Sequence, residues 1–270
     1  MSKRMIAVVV FVFGTYLAQP ATSKEKDAEA PLIEKKANAV LQRMGNCLAQ
    51  SLHFSFTADK MMDFVLDTGQ KIQLSDTSEI VVSRPNQIKV RSSGDLANEQ
   101  AWYNKDTLTI LDHDNNTYGS VQVPSHIDQM MDYIVEKYGI AIPLADLVLS
   151  DPYRAMIEKV RRGHYIGLNH VGKTKCHHLA FRQEGLDWQL WVDAGAQPVP
   201  RKLIITYKEI PGHPQFMAFF DQWNLQPAIA DDLYRFQAPP GAQKIDLQDI
   251  LISRTTPRSG PPTDDTRKEE

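Results

Sequence analysis

The stretch "LHFSFTADKMMDFVL", residues 52–66, carries the strongest pattern in the chain. Its even positions read Leu52, Phe54, Phe56, Ala58, Lys60, Met62, Phe64 and Leu66. The odd ones read His53, Ser55, Thr57, Asp59, Met61, Asp63 and Val65. Successive side chains of a strand point to opposite faces, so this alternation predicts one long strand with a buried face and a wet face. Lys60 alone breaks the inward series. "DTGQ" (67–70) turns the chain, and Ile72, Leu74, Ile80 and Val82 continue the even-numbered apolar series on a second strand.

Working outward, turn signals recur at short intervals: "RPNQ", "SSGD", "NKD" and "DHDNN". They delimit strands near 87–92, 98–104, 107–112 and 116–122. Strands resume near 162–171, 174–182, 187–193, 201–208 and 215–224, with "AGAQPVP" and "GHPQ" at turns. Ahead of the first long strand, Pro31 suits a helix start, and Ile33, Ala37, Val40, Leu41, Met44 and Leu48 recur at helical spacing. Between the two groups of strands lies a helical insertion, 124–160. Its first helix carries Ile127, Met130, Met131, Ile134 and Tyr138 on one side, with Ser125 and Asp128 in the spacing of a capping box.

About eleven strands with polar wet faces cannot pack a second sheet there, so helices must cover the other face. The expected fold is α+β: a strongly curved antiparallel half-barrel with helices over its concave face. No internal repeat or linker divides residues 30–245, which read as one domain. The tail at 252–270, "ISRTTPRSGPPTDDTRKEE" from its first residue on, has no apolar period and reads as disordered.

The chain has 270 residues and a formal net charge of −3, which excludes a nucleic-acid partner held by phosphate neutralisation. Residues 1–21 begin with Lys3-Arg4, continue through the apolar run Met5–Phe13 and end in small residues at Ala18 and Ala21. That is the layout of a cleaved signal peptide; the run is short against the ~20 residues of a membrane span. Export to the periplasm is expected, and with it a compartment that permits disulfides.

The segment "KCHHLAF" (175–181) raises the question of chemistry. A hairpin around Gly172-Lys173 sets His177 opposite Leu168, Leu179 opposite Ile166 and Phe181 opposite His164 on one face. Cys176 then lies opposite Asn169 and His178 opposite Gly167 on the other face. Adjacent histidines point to opposite faces and do not chelate one metal. Cys176, His178 and Asn169 share a face and have the letters of a thiol mechanism, without a helix N-terminus or oxyanion hole to activate it. A Cys47–Cys176 disulfide is the only intramolecular pairing, and it requires the first helix to lie on the Cys176 face. The stretch reads chiefly as a strand, with that disulfide as its best special role. No GxSxG elbow, Walker loop, dinucleotide fingerprint or HExxH motif occurs, and Asp187, Asp193, Asp221, Asp231 and Asp232 form no pair on a buried face. No catalytic residue, metal or cofactor is expected.

The segments "SLHFSFTADKMMDFVLDTGQKIQLS", "VSRPNQIKV", "EKYGIAIPLADLVLSDPY" and "CHHLAFRQEGLDWQLWVDAGAQPVPRKLIITYK" resemble a family of predicted bacterial periplasmic proteins of unknown function. That family is similar to the lipoprotein carrier (LolA/LolB-like) superfamily, over about residues 30–245. The resemblance implies a signal peptide, an eleven-strand half-barrel and helices closing the concave face. Members of the wider superfamily carry lipoproteins or sense mislocalised envelope lipids, and the fold brings no catalytic residues with it.

The expected function is therefore non-enzymatic binding of a lipid, acyl chain or lipoprotein in a hydrophobic cavity, with peripheral membrane contact. From alternation, Phe54, Phe56, Phe64, Met130, Met131, Ile134, Leu147, Trp188 and Leu190 are the expected lining, the methionines being adaptable. Two alternatives stand: an envelope protein that binds another protein through its sheet surface, and a thiol- or metal-dependent enzyme centred on Cys176 and His178.

Overall fold

The computed structural model describes residues 32–253 except Ala141. The expected signal peptide and all but the first two residues of the expected tail lie outside the described residues. The long alternating stretch forms β2 (His53–Val65), paired along its whole length with β3 (Lys71–Ser83), His53 opposite Ser83 and Val65 opposite Lys71. A meander follows through β4 (Gln87–Gly94), β5 (Asn98–Asn104), β6 (Thr107–Asp112) and β7 (Thr117–Gln122). After the helical insertion a second meander runs through β8 (Arg162–Val171), β9 (Thr174–Gln183), β10 (Leu186–Asp193), β11 (Pro200–Tyr207) and β12 (Gln215–Asn224).

These are the eleven expected strands. Two short parallel strands, β1 (Leu32–Ile33) on β8 and β13 (Gln243–Lys244) on β7, bring the single sheet to thirteen. The meanders join where β12 pairs with β2, Phe216 opposite Met62 and Phe220 opposite Ala58. The order β1-β8-β9-β10-β11-β12-β2-β3-β4-β5-β6-β7-β13 therefore puts β7 and β8 near opposite edges. Segment 124–160, which links them, has to cross the sheet.

It crosses on the inner face, where Phe54, Phe56, Ile80, Val82, Leu179, Leu190 and Phe220 form one core with the helices. The first helix, α1 (Lys35–Gln50), buries Ala37, Val40, Leu41, Met44 and Leu48, the stripe read from the sequence. It starts later than expected, because Leu32–Ile33 is spent on pairing with β8. Glu34 anchors the junction: its carboxylate accepts from the Tyr165 backbone N–H at 3.0 Å and lies 3.0 Å from His164. Helix α2 (Ile127–Tyr138) buries Ile127, Met130 and Ile134 and ends on Gly139 in the left-handed conformation. Its cap is His126 rather than the expected Ser125–Asp128 box; the Asp128 carboxylate instead accepts from the backbone N–H and hydroxyl of Ser150. A 3-10 turn (Ala145–Leu147), α3 (Pro152–Ile157) and, against β6 and β7, α4 (Leu247–Ser253) complete the cover. Helix α4 buries Leu247, Ile250 and Leu251, so the folded body extends beyond residue 245. Each fully buried Leu or Phe side chain contributes about 2 kcal/mol to holding these layers together.

Arg84, at the β3–β4 turn, fastens the cover. Its guanidinium donates to the carbonyls of Leu48 (2.7 Å), Ser51 (2.8 Å) and Leu149 (2.7 Å) and lies 4.8 Å from the Phe54 ring centroid. It thus satisfies the Ser51 carbonyl at the end of α1 and adds a second donor to that of Leu48, which already accepts from the Ser51 backbone N–H. Burial draws its pKa down to about 10, opposed by the Asp128 carboxylate.

The outer face departs from the expectation of a uniformly wet surface. Segment 225–242 straps it: the Tyr234 hydroxyl is 2.7 Å from Ser83 Oγ, and Phe236 packs on Trp102 and Tyr118 at 5.1 and 4.9 Å.

The β8–β9 register holds as read at Leu168–His177, Asn169–Cys176 and Gly167–His178. A bulge at Ile166 then shifts it, so that Tyr165 opposes Leu179 and Gly163 opposes Phe181. Gly167, at φ 142°, supplies the backbone freedom for that irregularity. The bulge leaves Ile166 exposed instead of in the core.

The expected disulfide is absent: both cysteines are free. The reason is facial. Helix α1 packs on the inner face with Leu179 and Phe181, while Cys176 lies on the outer one beside Asp193, so the sheet separates the thiols. Cys176 donates to the Thr174 carbonyl at 3.6 Å. Burial raises both thiol pKa values, that of Cys176 with help from the Asp193 carboxylate. Alkylation at neutral pH is therefore expected to label Cys47 slowly and Cys176 only after denaturation; an intact mass with both thiols blocked by oxidation would contradict this.

Helices α1 and α3 meet at Gly45. A Cβ there would lie 2.5 Å from Tyr153 Cβ and 2.7 Å from its backbone nitrogen. Gly45→Ala should force α3 outward and cost about 1–3 kcal/mol in urea unfolding.

Candidate functional site

The structure brings the nine expected lining residues together, but as a filled interior. Phe54, Phe56, Met130, Ile134, Leu147, Trp188 and Leu190 are each at most 4% exposed; Phe64 and Met131 are half-buried against the same core. Trp223, set inward by the register shift near the end of β12, stacks on Phe56 at 4.4 Å and donates to the Pro200 carbonyl at 2.9 Å. Trp188 stacks on Phe181 at 4.2 Å. Side chains occupy the volume where a preformed cavity was expected.

Two polar groups of this interior stand out. Lys60 faces Asp76 across the β2–β3 ladder, with Nζ 2.9 Å from Oδ2. The Asp76 side chain is wholly buried and, among the described residues, its Oδ1 has no hydrogen-bond partner. Burial raises its pKa, with Lys60 opposing. The Trp188 indole N–H is likewise buried without a partner. Buried polar groups are rarely left this way, which makes both positions informative. Lys60 was visible in the sequence as the break in the inward series; Asp76 occupies the corresponding even position of the next strand.

An open cleft of about 1080 Å³ lies elsewhere, between the solvent side of α1, the β10–β11 loop and the chain after β12. Gln42, Arg43, Asn46, Cys47, Gln50, Ser51, Leu52 and His53 line one wall; Ala196, Gln197, Pro198 and Asn224 to Pro227 line the other. Sequence reasoning missed this cleft because its residues are mixed in polarity and follow no apolar period. The spacing of Gln42, Asn46 and Gln50 at every fourth position, an amide stripe on one helix face, was the available signal. None of the nine expected lining residues borders it.

The "KCHHLAF" side chains are absorbed by the fold. His177 Nδ1 is hydrogen-bonded to the Tyr165 hydroxyl at 3.0 Å, and burial, with Arg43 and Lys36 nearby, holds its pKa below the ordinary value. On the opposite face, His178 Nδ1 accepts from Asn169 (3.1 Å), its Nε2 donates to Gln189 Oε1 (3.0 Å), and its ring stacks on Trp191 at 4.0 Å. Burial lowers its pKa too. The Cys176 thiol bonds a backbone carbonyl and its pKa is raised, the reverse of an activated nucleophile. Among the described residues, no group of three His, Cys, Asp or Glu side chains is placed to hold a metal ion, and no helix is long and apolar enough to cross a membrane.

Among solved structures, an uncharacterized conserved protein from Thermus thermophilus shares 10% identity at a TM-score of 0.45, over 78% of this chain and 99% of that one. The Mycobacterium tuberculosis lipoprotein LppX shares 8% at 0.45, over 73% and 98%. A LolA superfamily protein from Nitrosomonas europaea shares 6% at 0.35, over 74% and 97%. No ligand or residue role is carried over at such distances. No curated protein matches the sequence. The family described as "Predicted periplasmic protein (DUF2092)" matches residues 37–248, and the chain belongs to that family.

Proposed function

We propose that this periplasmic protein is a non-enzymatic binding module that holds an acyl chain, or the lipid part of a lipoprotein, between its curved sheet and its helical cover. The observation that carries the reading is how the inner face is closed. A single strongly apolar sheet face is covered by separate short helices, not by a second sheet. The crossing segment 124–160 is tied to the rest of the fold by Arg84 to the Leu149 carbonyl, the Ile127 backbone N–H to the Pro85 carbonyl, Tyr103 to the Pro124 carbonyl and Tyr153 to Asn38, while Asp128 to Ser150 is a tie within the segment. Ligand entry requires this cover to move. Met44, Met62, Met130 and Met156 at the sheet–helix boundary supply side chains that repack around a flexible chain. The driving force would be apolar burial, at about 25 cal/mol per Å².

A second reading rests on the cleft. Its amides offer paired donors and acceptors, which suit the backbone of another envelope protein. Asn46→Trp, which plugs the cleft, is expected to abolish such a contact and leave acyl-chain uptake unchanged.

The test of the leading reading is lipid extraction and mass spectrometry of the protein purified from its native envelope, paired with titration by a fluorescent fatty acid. An acyl chain in stoichiometric yield and saturable uptake are expected. Repeated recovery without lipid, together with no uptake of the probe, would overturn it.

A further inference from the structure

We infer that the Lys60–Asp76 pair forms the head-group end of the apolar site and selects an amphiphile whose head donates a hydrogen bond, through a hydroxyl or ammonium group. This inference rests on the acyl-chain reading above and names the ligand class more closely.

The argument begins with what the pair lacks. Taking two charges into an apolar interior is repaid only when their remaining donors and acceptors are also satisfied. Here only one contact is made, Nζ to Oδ2 at 2.9 Å, and Oδ1 is left buried and unpartnered. Among the described residues, no donor reaches Oδ1. The neighbouring inner-face hydroxyls, Ser78 and Ser92, bond each other at 2.7 Å. Asp95, next along the β4–β5 connection, is itself an acceptor, taken up by the backbone N–H and hydroxyl of Ser75.

The strands approach closely at the Asp76 end of that row: a Cβ at Gly94, opposite Asp76, would lie 2.5 Å from Asp76 Cα, so the approach to the pair is from the Lys60 side, where Lys60 faces only Ala218 across the sheet. Toward the β2–β3 turn the same face continues as Met62, Leu74, Phe64 and Ile72, an apolar track of which all but Met62 are half-buried. Lys60 is partly reachable, with 21% of its side chain exposed, so the pair stands at a boundary between water and core.

Electrostatics then decides the sign of the head group. A carboxylate or phosphate would gain Lys60 but would face the Asp76 carboxylate, and like charges at close range in a low dielectric disfavour it. A neutral or cationic donor supplies the hydrogen bond that Oδ1 lacks and leaves the ion pair intact. An ester head, which only accepts, supplies nothing.

The experiment titrates the full chain, stripped of lipid, with three probes of one chain length: monooleoylglycerol, methyl oleate and oleate. Monooleoylglycerol is expected to bind at least about tenfold tighter than methyl oleate, the scale of one hydrogen bond to a charged group. In Asp76→Leu that preference should shrink to within about twofold while methyl oleate binds as before, since only the head-group bond is lost. Because Asp76→Leu leaves Lys60 without its partner, the double variant Lys60→Met with Asp76→Leu is measured alongside; it carries the same expectation and no unpaired charge. A preference that survives both substitutions makes the pair purely structural and sinks the inference. Tightest binding by oleate, lost in Lys60→Met, sinks it as well, by assigning the site to anions. Failure of all three probes to bind removes the acyl-chain reading itself, which separates the two failures.

Discussion

The pairing of β2 on both sides is the constraint from which the rest follows. Its thirteen residues bond β3 along their full length, and residues 57–62 bond β12, more than 150 positions away in the chain. That second ladder welds two sequential meanders into one sheet and sends the strands at their junction, β7 and β8, to opposite ends. The linking segment has no short route, and the inner face is apolar, so the segment buries its own apolar stripe on the way across. The cover is in this sense a consequence of strand order.

Much of this was legible in the sequence. The alternation of residues 52–66, the α1 stripe and the hairpin register near Gly172 all report local periodicity, and local periodicity is what a sequence displays. The β12–β2 ladder is not local; nothing in residues 216–221 states that they pair with residues 57–62. Helix α4 escaped notice because its four apolar residues span barely two turns. The disulfide expectation depended on which face α1 chose, and the helix followed the larger apolar surface.

For the candidate site the division is similar. The nine apolar positions do converge, as alternation implied, but a pattern of inward residues does not distinguish a lined cavity from a filled one. Packing density is set by side-chain volumes meeting across elements far apart in sequence. The single polar break in the pattern, Lys60, was plain from the start; its meaning required the register that sets it beside Asp76. The amide cleft was hidden for a different reason, since solvent-facing glutamines look alike whether or not a second wall stands opposite.

The two-residue strands β1 and β13 look minor beside the long ladders, yet they sit at the sheet's two ends. An unclosed sheet offers rows of unpaired backbone groups that recruit further chains and seed aggregation. Here the segment preceding α1 and the segment preceding α4 each occupy part of one exposed row, through Leu32–Ile33 on β8 and Gln243–Lys244 on β7. Folding and self-protection are thereby coupled: a chain that has not docked both ends is left with sticky rims, and solubility becomes a report on whether the fold is complete.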